Sequence, residues 1–185
     1  MKKFSLFPTL VLYFPKFINS KECDKIFKLL KTKKIYDHYT VGGKGKSTHG
    51  HGTCILSELS LDLNKPLEEY SNQSRIKILN KIKNSWFNIQ DKESVLKEHI
   101  HPNCILSGGL FINIGQKASK LYFHNPNPFA SCTNKKEPLN DYSYEWYFFN
   151  PKKGDLIIFP SWLKHGSNHD KNFYKDRTVI SFNAV

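Results

Sequence analysis

Apolar positions recur at two different periods along this chain. From Lys21 to Leu30 they fall at Cys23, Ile26, Phe27 and Leu30, the 3-4-7 spacing of a helix with one buried face. Ser20, directly before that stretch, is a residue type that caps helix N-termini. A second helix is expected from Pro66 to about Trp86, with Pro66 near its start and Ile76, Ile78, Leu79, Ile82 and Trp86 on or near one face. Ser5–Tyr13 alternates loosely and ends at Phe14-Pro15, which predicts a strand over residues 5–14 that stops at the proline. Between the helices lies Val41–Thr53, rich in Gly, His and Lys and without periodicity.

After Trp86 the pattern is that of strands. Ile105–Ile114, Leu121–Phe123, Tyr144–Phe149, Leu156–Phe159 and Thr178–Phe182 are apolar, and turn-rich segments such as Asn125–Pro128 and Asn150–Gly154 separate them. Helices first and short strands later predict an α+β, mainly β arrangement in which N-terminal helices pack on one side of a β-sandwich or barrel. No linker interrupts it. A single domain over 1–185 is expected, with helical support at about 16–86 and the β core at about 86–185 plus the strand at 5–14.

Composition fits a chain of 185 residues that packs a core: 39% of its residues are hydrophobic and 14% aromatic. No apolar run approaches the roughly 20 residues that a membrane span requires. Lys2, Lys3 and the apolar stretch that follows resemble an export signal, but Pro8 interrupts them and no small-residue cleavage site follows, so a strand is the preferred reading. Cys23, Cys54, Cys104 and Cys132 are widely spaced with no C-x-x-C pair, which suits reduced thiols in a cytoplasm. The net charge of +12 raises the question of nucleic acid. Of the 28 basic residues, however, only Arg75 and Arg177 are arginines, and the lysines are scattered instead of clustered. That distribution looks like the coding bias of an AT-rich genome more than selection for phosphate contacts, and it makes each arginine informative.

Candidate chemistry concentrates in the second half. His99 and His101 stand two residues apart, so in an extended segment both imidazoles share a face and can chelate one metal. His165 follows the segment Gly154–Lys164, and Arg177 opens the last strand, where alternation puts Arg177, Val179, Ser181 and Asn183 on one face. That face is too polar for a closed interior unless the interior is a binding site. The bland readings are a structural histidine, a surface pairing of Arg177 with Asp170 or Asp176, and an ordinary polar loop at His49-Gly-His51 in place of a second metal site or lid.

Trp86-Phe-Asn88, the segment His99-Ile-His101 through Gly108, the block Phe149–His165 containing Gly154-Asp-Leu-Ile-Ile-Phe-Pro-Ser-Trp162, and Arg177–Asn183 together resemble the iron(II)/2-oxoglutarate-dependent oxygenases. They are most similar to a group found in marine bacteria and their phages. The resemblance covers about residues 86–185. It implies a double-stranded β-helix, or jelly-roll, holding Fe(II) at its mouth, with His99, His101 and His165 as ligands and as the catalytic centre. It also implies 2-oxoglutarate chelating the metal, its distal carboxylate on Arg177, and Ser181 and Asn113 as further cosubstrate contacts. His101 stands where the family usually has a carboxylate, and Phe111 stands where relatives often carry Tyr. The implied partners are 2-oxoglutarate, O2 and an organic or macromolecular substrate that the sequence does not name. A non-catalytic jelly-roll ligand-binding module and a basic nucleic-acid-binding protein remain as alternatives.

Overall fold

The computed structural model describes residues 1–2, 6–51, 54–79, 81–132, 134–167 and 169–185. In chain order the elements are β1 (Leu12–Phe14), α1 (Ser20–Leu30), β2 (Val41–Gly42), β3 (Lys46–Ser47), α2 (Ile55–Glu58), α3 (Asn64–Ser74), β4 (Ile82–Gln90), β5 (Val95–Leu96), β6 (Leu106–Asn113), β7 (Leu121–His124), α4 (Phe129–Cys132), β8 (Trp146–Phe149), β9 (Leu156–Pro160), β10 (His165–Gly166) and β11 (Arg177–Ala184). A six-stranded sheet runs β1-β9-β6-β11-β4-β3, a three-stranded sheet runs β10-β7-β8, and β2 pairs with β5. The long pairings are antiparallel. This is the mainly β, double-stranded β-helix architecture, with helices on one face of the larger sheet.

Alternation along the strands builds two separate interiors. Phe87 and Ile89 of β4, Leu110 and Ile112 of β6, Leu156 and Ile158 of β9, and Ile180 and Phe182 of β11 pack with Leu30, Ile55, Leu56, Leu67 and Tyr70 from the helical side. Here α1 lies against β6, α2 against β4 and α3 against β9. The opposite face contributes Phe111, Ile157, Phe159 and Val179, which pack with Leu121, Phe123 and Leu163 between the sheets. Gly108 permits this closeness, since a Cβ there would lie 2.3 Å from the Phe182 ring and 2.6 Å from the Ile157 carbonyl oxygen.

Several expected boundaries move. The cap of α1 is Asn19, one residue before Ser20, in a capping box: the Asn19 side chain accepts from the Glu22 N–H at 2.9 Å, and the Glu22 carboxylate accepts from the Asn19 N–H at 3.0 Å. The helix expected over 66–86 divides. Its first part is α3, which ends at Arg75 in a left-handed conformation (φ 59°), and residues from Ile82 onward form β4. Ile76 and Leu79, assigned to a buried helix face, are exposed. Strand β1 starts only at Leu12, and Ser5 of the expected strand lies outside the described residues. The segment Val41–Thr53, expected as a loop, contains β2 and β3, and β3 extends the large sheet beside β4; its Gly52 and Thr53 also lie outside the described residues.

The Gly154-Asp155 step anchors the N-terminus to this frame. Gly154 has φ +89°, and a Cβ there would meet the Ile18 carbonyl oxygen at 2.2 Å. Asp155 is buried and accepts from the Tyr13 hydroxyl and from the backbone N–H groups of Lys16 (2.9 Å) and Lys152 (2.6 Å). Burial, reinforced by the Asp155 carboxylate, pushes the Tyr13 phenol up to about 12.

Candidate metal centre and cosubstrate pocket

His99 and His165 sit opposite each other on a two-residue antiparallel bridge, with His99 N–H donating to the His165 carbonyl at 3.0 Å and His165 N–H to the His99 carbonyl at 3.1 Å. His101, two residues on, is tied by its N–H to the Ser161 carbonyl at 2.9 Å. Thus the H-x-H segment pairs with 161–165; it does not run on into β6. The three rings converge, with centroids 4.5 Å (His99–His165), 4.9 Å (His99–His101) and 5.1 Å (His101–His165) apart. One nitrogen from each lies within 4.8 Å of the others.

Hydrogen bonding settles which nitrogens are available. His99 Nδ1 lies 2.7 Å from the Lys97 carbonyl and His165 Nδ1 2.9 Å from the Leu163 carbonyl. A carbonyl only accepts, so both Nδ1 atoms carry the proton and both Nε2 atoms present a lone pair. His101 Nε2 approaches His165 Nε2 to 3.2 Å. Two nitrogens at about 2.1 Å from one ion and at right angles lie roughly 3 Å apart, so this pair has the spacing of neighbouring ligands. Burial lowers all three imidazoles: His99 below its ordinary range, His101 to about 3 and His165 well below it. All three are therefore neutral at pH 7, the state in which imidazole binds metal. Phe159 packs edge-on against the His165 ring at 4.6 Å, and Trp86 lies 5.6 Å from His101.

The same cavity, of about 280 Å³, is lined by the histidine triad and by Arg177, Val179, Ser181 and Asn183, the four alternate positions of β11. Arg177 is 4% exposed. Its Nε donates to the Ser119 carbonyl at 3.2 Å and its Nη1 to Gln90 Oε1, while the guanidinium carbon lies 5.8 Å from the Phe111 ring centre. Neither proposed surface partner takes it. Asp176 pairs with Lys31 at 2.9 Å, and the Asp170 carboxylate accepts from the Lys120 N–H at 3.0 Å. Among the described residues no carboxylate forms an ion pair with Arg177. Burial lowers it to about 10, offset in part by the charge of the Asp170 carboxylate beyond ion-pair distance, so the guanidinium is still charged at neutral pH. A buried cation of this kind calls for an anion.

Ser181 reaches the cavity and accepts from Asn88 Nδ2 at 3.4 Å. Asn113 does not share that position. Its amide donates to the Asp176 carbonyl at 2.9 Å and its oxygen accepts from the Tyr174 hydroxyl at 3.3 Å. The aromatic segment Tyr142–Phe149 lies away from the metal side and contributes to a second groove with Phe7, Phe123 and Asn125. The metal-side cavity is bordered by His38, Tyr39, Thr40 and His49. His49 Nδ1 lies 3.0 Å from His38 Nε2, and the His49 ring meets Trp86 at 4.3 Å. His51 turns away and stacks on Tyr36 at 3.7 Å. Sequence reasoning assigned no role to Gln90 or His38. The alternation Asn84, Trp86, Asn88, Gln90 on β4 held the signal for Gln90.

The fold and this site define a non-haem metal enzyme built on a double-stranded β-helix. Residues 84–183 match the family model described as "Putative 2OG-Fe(II) oxygenase", more than half of the chain, and the chain belongs to that family. It is accordingly an oxidoreductase that uses Fe(II) and 2-oxoglutarate, and three converging neutral imidazoles, two of them with the Nε2 lone pair free, suit Fe(II). Among solved structures, a Pseudomonas putida prolyl-4-hydroxylase superposes with a TM-score of 0.62 at 10% identity, covering 95% of this chain and 92% of that one. HygX from Streptomyces hygroscopicus, with nickel and 2-oxoglutarate bound, gives 0.63 at 12% identity over 94% and 82%. A viral collagen prolyl hydroxylase from Paramecium Bursaria Chlorella virus-1, in its 2OG complex, gives 0.54 at 12% over 95% and 96%. At these identities the likeness is one of fold. No curated protein sequence matches. Among the described residues, no helix is long and apolar enough to cross a membrane.

Proposed function

We propose that the chain forms one catalytic domain over residues 1–185 and is a hydroxylase in which His99, His101 and His165 hold Fe(II) and Arg177 holds the distal carboxylate of 2-oxoglutarate. The observation that carries this reading is the shared cavity: converging imidazole nitrogens and a buried guanidinium that forms no ion pair among the described residues line one space. When bound, iron(II) with the keto acid and O2 supplies the oxidation that hydroxylates a substrate C–H bond while 2-oxoglutarate is converted to succinate and CO2.

The chain's own residues prepare for that chemistry. The carbonyls of Lys97 and Leu163 hold the His99 and His165 rings in the ligating tautomer. Arg177 orients the keto acid from the far end, and its fork is fixed in advance by Gln90 and the Ser119 carbonyl. Phe111, Leu121, Phe159 and Val179 give the cavity apolar walls that keep bulk water from the reacting atoms. The four free cysteines support a cytoplasmic location, and the motifs of residues 86–185 support a source among the marine bacterial and phage members. Succinate formation from 2-oxoglutarate tests the reading: it is expected to require Fe(II) and O2, to proceed slowly without the substrate, and to vanish in His165→Ala. Turnover that survives His165→Ala contradicts it.

A further inference from the structure

Among the described residues three buried side-chain polar atoms lack a partner: Asn84 Oδ1, Gln90 Nε2 and Ser119 Oγ. Two of the three belong to residues that hold Arg177. Gln90 stands directly across from Arg177 in the β4–β11 register, is 1% exposed and lines the cavity. Arg177 can only donate, so the atom of the Gln90 carboxamide that faces Nη1 must be the oxygen. The orientation of this amide is therefore fixed by chemistry, and Nε2 is the atom left over.

An amide NH2 only donates, and a buried one without an acceptor is destabilising. Its neighbour is a cation with donors to spare, since the Asp170 carboxylate acts on Arg177 only from beyond ion-pair distance and accepts from the Lys120 N–H instead. A group that satisfies both must be small, anionic and rich in acceptor oxygens, which describes a carboxylate. We propose that Gln90 is a binding residue for the distal carboxylate of the keto acid: Oε1 locks the Arg177 fork while Nε2 donates to the same carboxylate. Gln90 thereby selects a 2-keto dicarboxylic acid over a 2-keto monocarboxylic acid. This rests on the function proposed above. Ser119 Oγ is not among the cavity-lining groups and is left out of the assignment.

Anaerobic calorimetric titration of the Fe(II)-loaded protein with 2-oxoglutarate, and separately with 2-oxobutyrate, which lacks the distal carboxylate, tests this. Gln90→Leu is expected to weaken 2-oxoglutarate about 10-fold, the size of one lost charge-assisted hydrogen bond, and to leave Fe(II) and 2-oxobutyrate unchanged. Gln90→Glu, nearly isosteric, places a carboxylate on Arg177 and is expected to weaken 2-oxoglutarate about 100-fold or more. Gln90→Glu binding 2-oxoglutarate as the parent does overturns the assignment. Equal weakening of both keto acids in Gln90→Leu also overturns it, since that marks a structural role. A parent that binds Fe(II) but no 2-oxoglutarate removes the function underneath, a result that no Gln90 variant produces.

Discussion

His99 and His165 hold each other by both backbone hydrogen bonds of a single bridge, at 3.0 and 3.1 Å, and their imidazoles stand 4.5 Å apart in consequence. Residues 66 positions apart in sequence number are thus fixed as a pair before any metal arrives. Ring spacing set by backbone pairing lowers the ordering cost that metal binding would otherwise carry.

Neutral, buried imidazoles make the metal-free protein acid-sensitive. Folding lowers His99, His101 and His165 below the ordinary 6.5, so below that pH the unfolded chain binds more protons than the folded one. Stability is then full above about pH 6.5 and falls as pH drops toward the depressed folded values. For His101, lowered to about 3, the loss between pH 6.5 and 5 is ~2 kcal/mol. Urea midpoints in chelator are expected to decline from pH 7 to pH 5 in the parent and less steeply in His101→Asn.

Asp155 tests the anchoring of the N-terminus. It accepts from Tyr13, Lys16 and Lys152, so Asp155→Ala strands three donors and is expected to cost about 2–3 kcal/mol in urea denaturation. Tyr13→Phe removes one donor and should cost about 1 kcal/mol. A parent-like midpoint for Asp155→Ala would remove the latch from the account.

Arg177→Lys keeps the charge and loses the fork. Its expected effect is a 10- to 100-fold weaker affinity for 2-oxoglutarate, roughly one to two charge-assisted hydrogen bonds, with Fe(II) affinity unchanged. Titration of each ligand in turn separates the two.

The β half was legible because its chemistry and its period coincide. Arg177, Val179, Ser181 and Asn183 alternate on one strand, and all four line the cavity. His99 and His101 likewise share a destination through their spacing of two, held there by pairing with the 161–165 segment, which the spacing does not announce. The stretch before Trp86 misled because Ile76, Ile78, Leu79 and Ile82 satisfy a helical period by chance, and Arg75 breaks the helix in a left-handed conformation that its side chain does not announce. Gln90 was hidden by the same error, since its face is visible only once β4 is known to be a strand. His38 was beyond reach. Its contact with His49 depends on how an aperiodic segment folds over the cavity mouth.

Anaerobic spectroscopy of the ternary complex tests the central claim most directly, that one cavity holds Fe(II) on His99, His101 and His165 and 2-oxoglutarate on Arg177. Adding 2-oxoglutarate to the Fe(II) protein without O2 is expected to produce the weak visible charge-transfer band of a keto acid chelated to iron. That band should be absent in His165→Ala at any iron concentration, and in Arg177→Lys it should return only at raised 2-oxoglutarate. An unchanged band in His165→Ala, or no band in a parent shown to bind both ligands, would contradict the account.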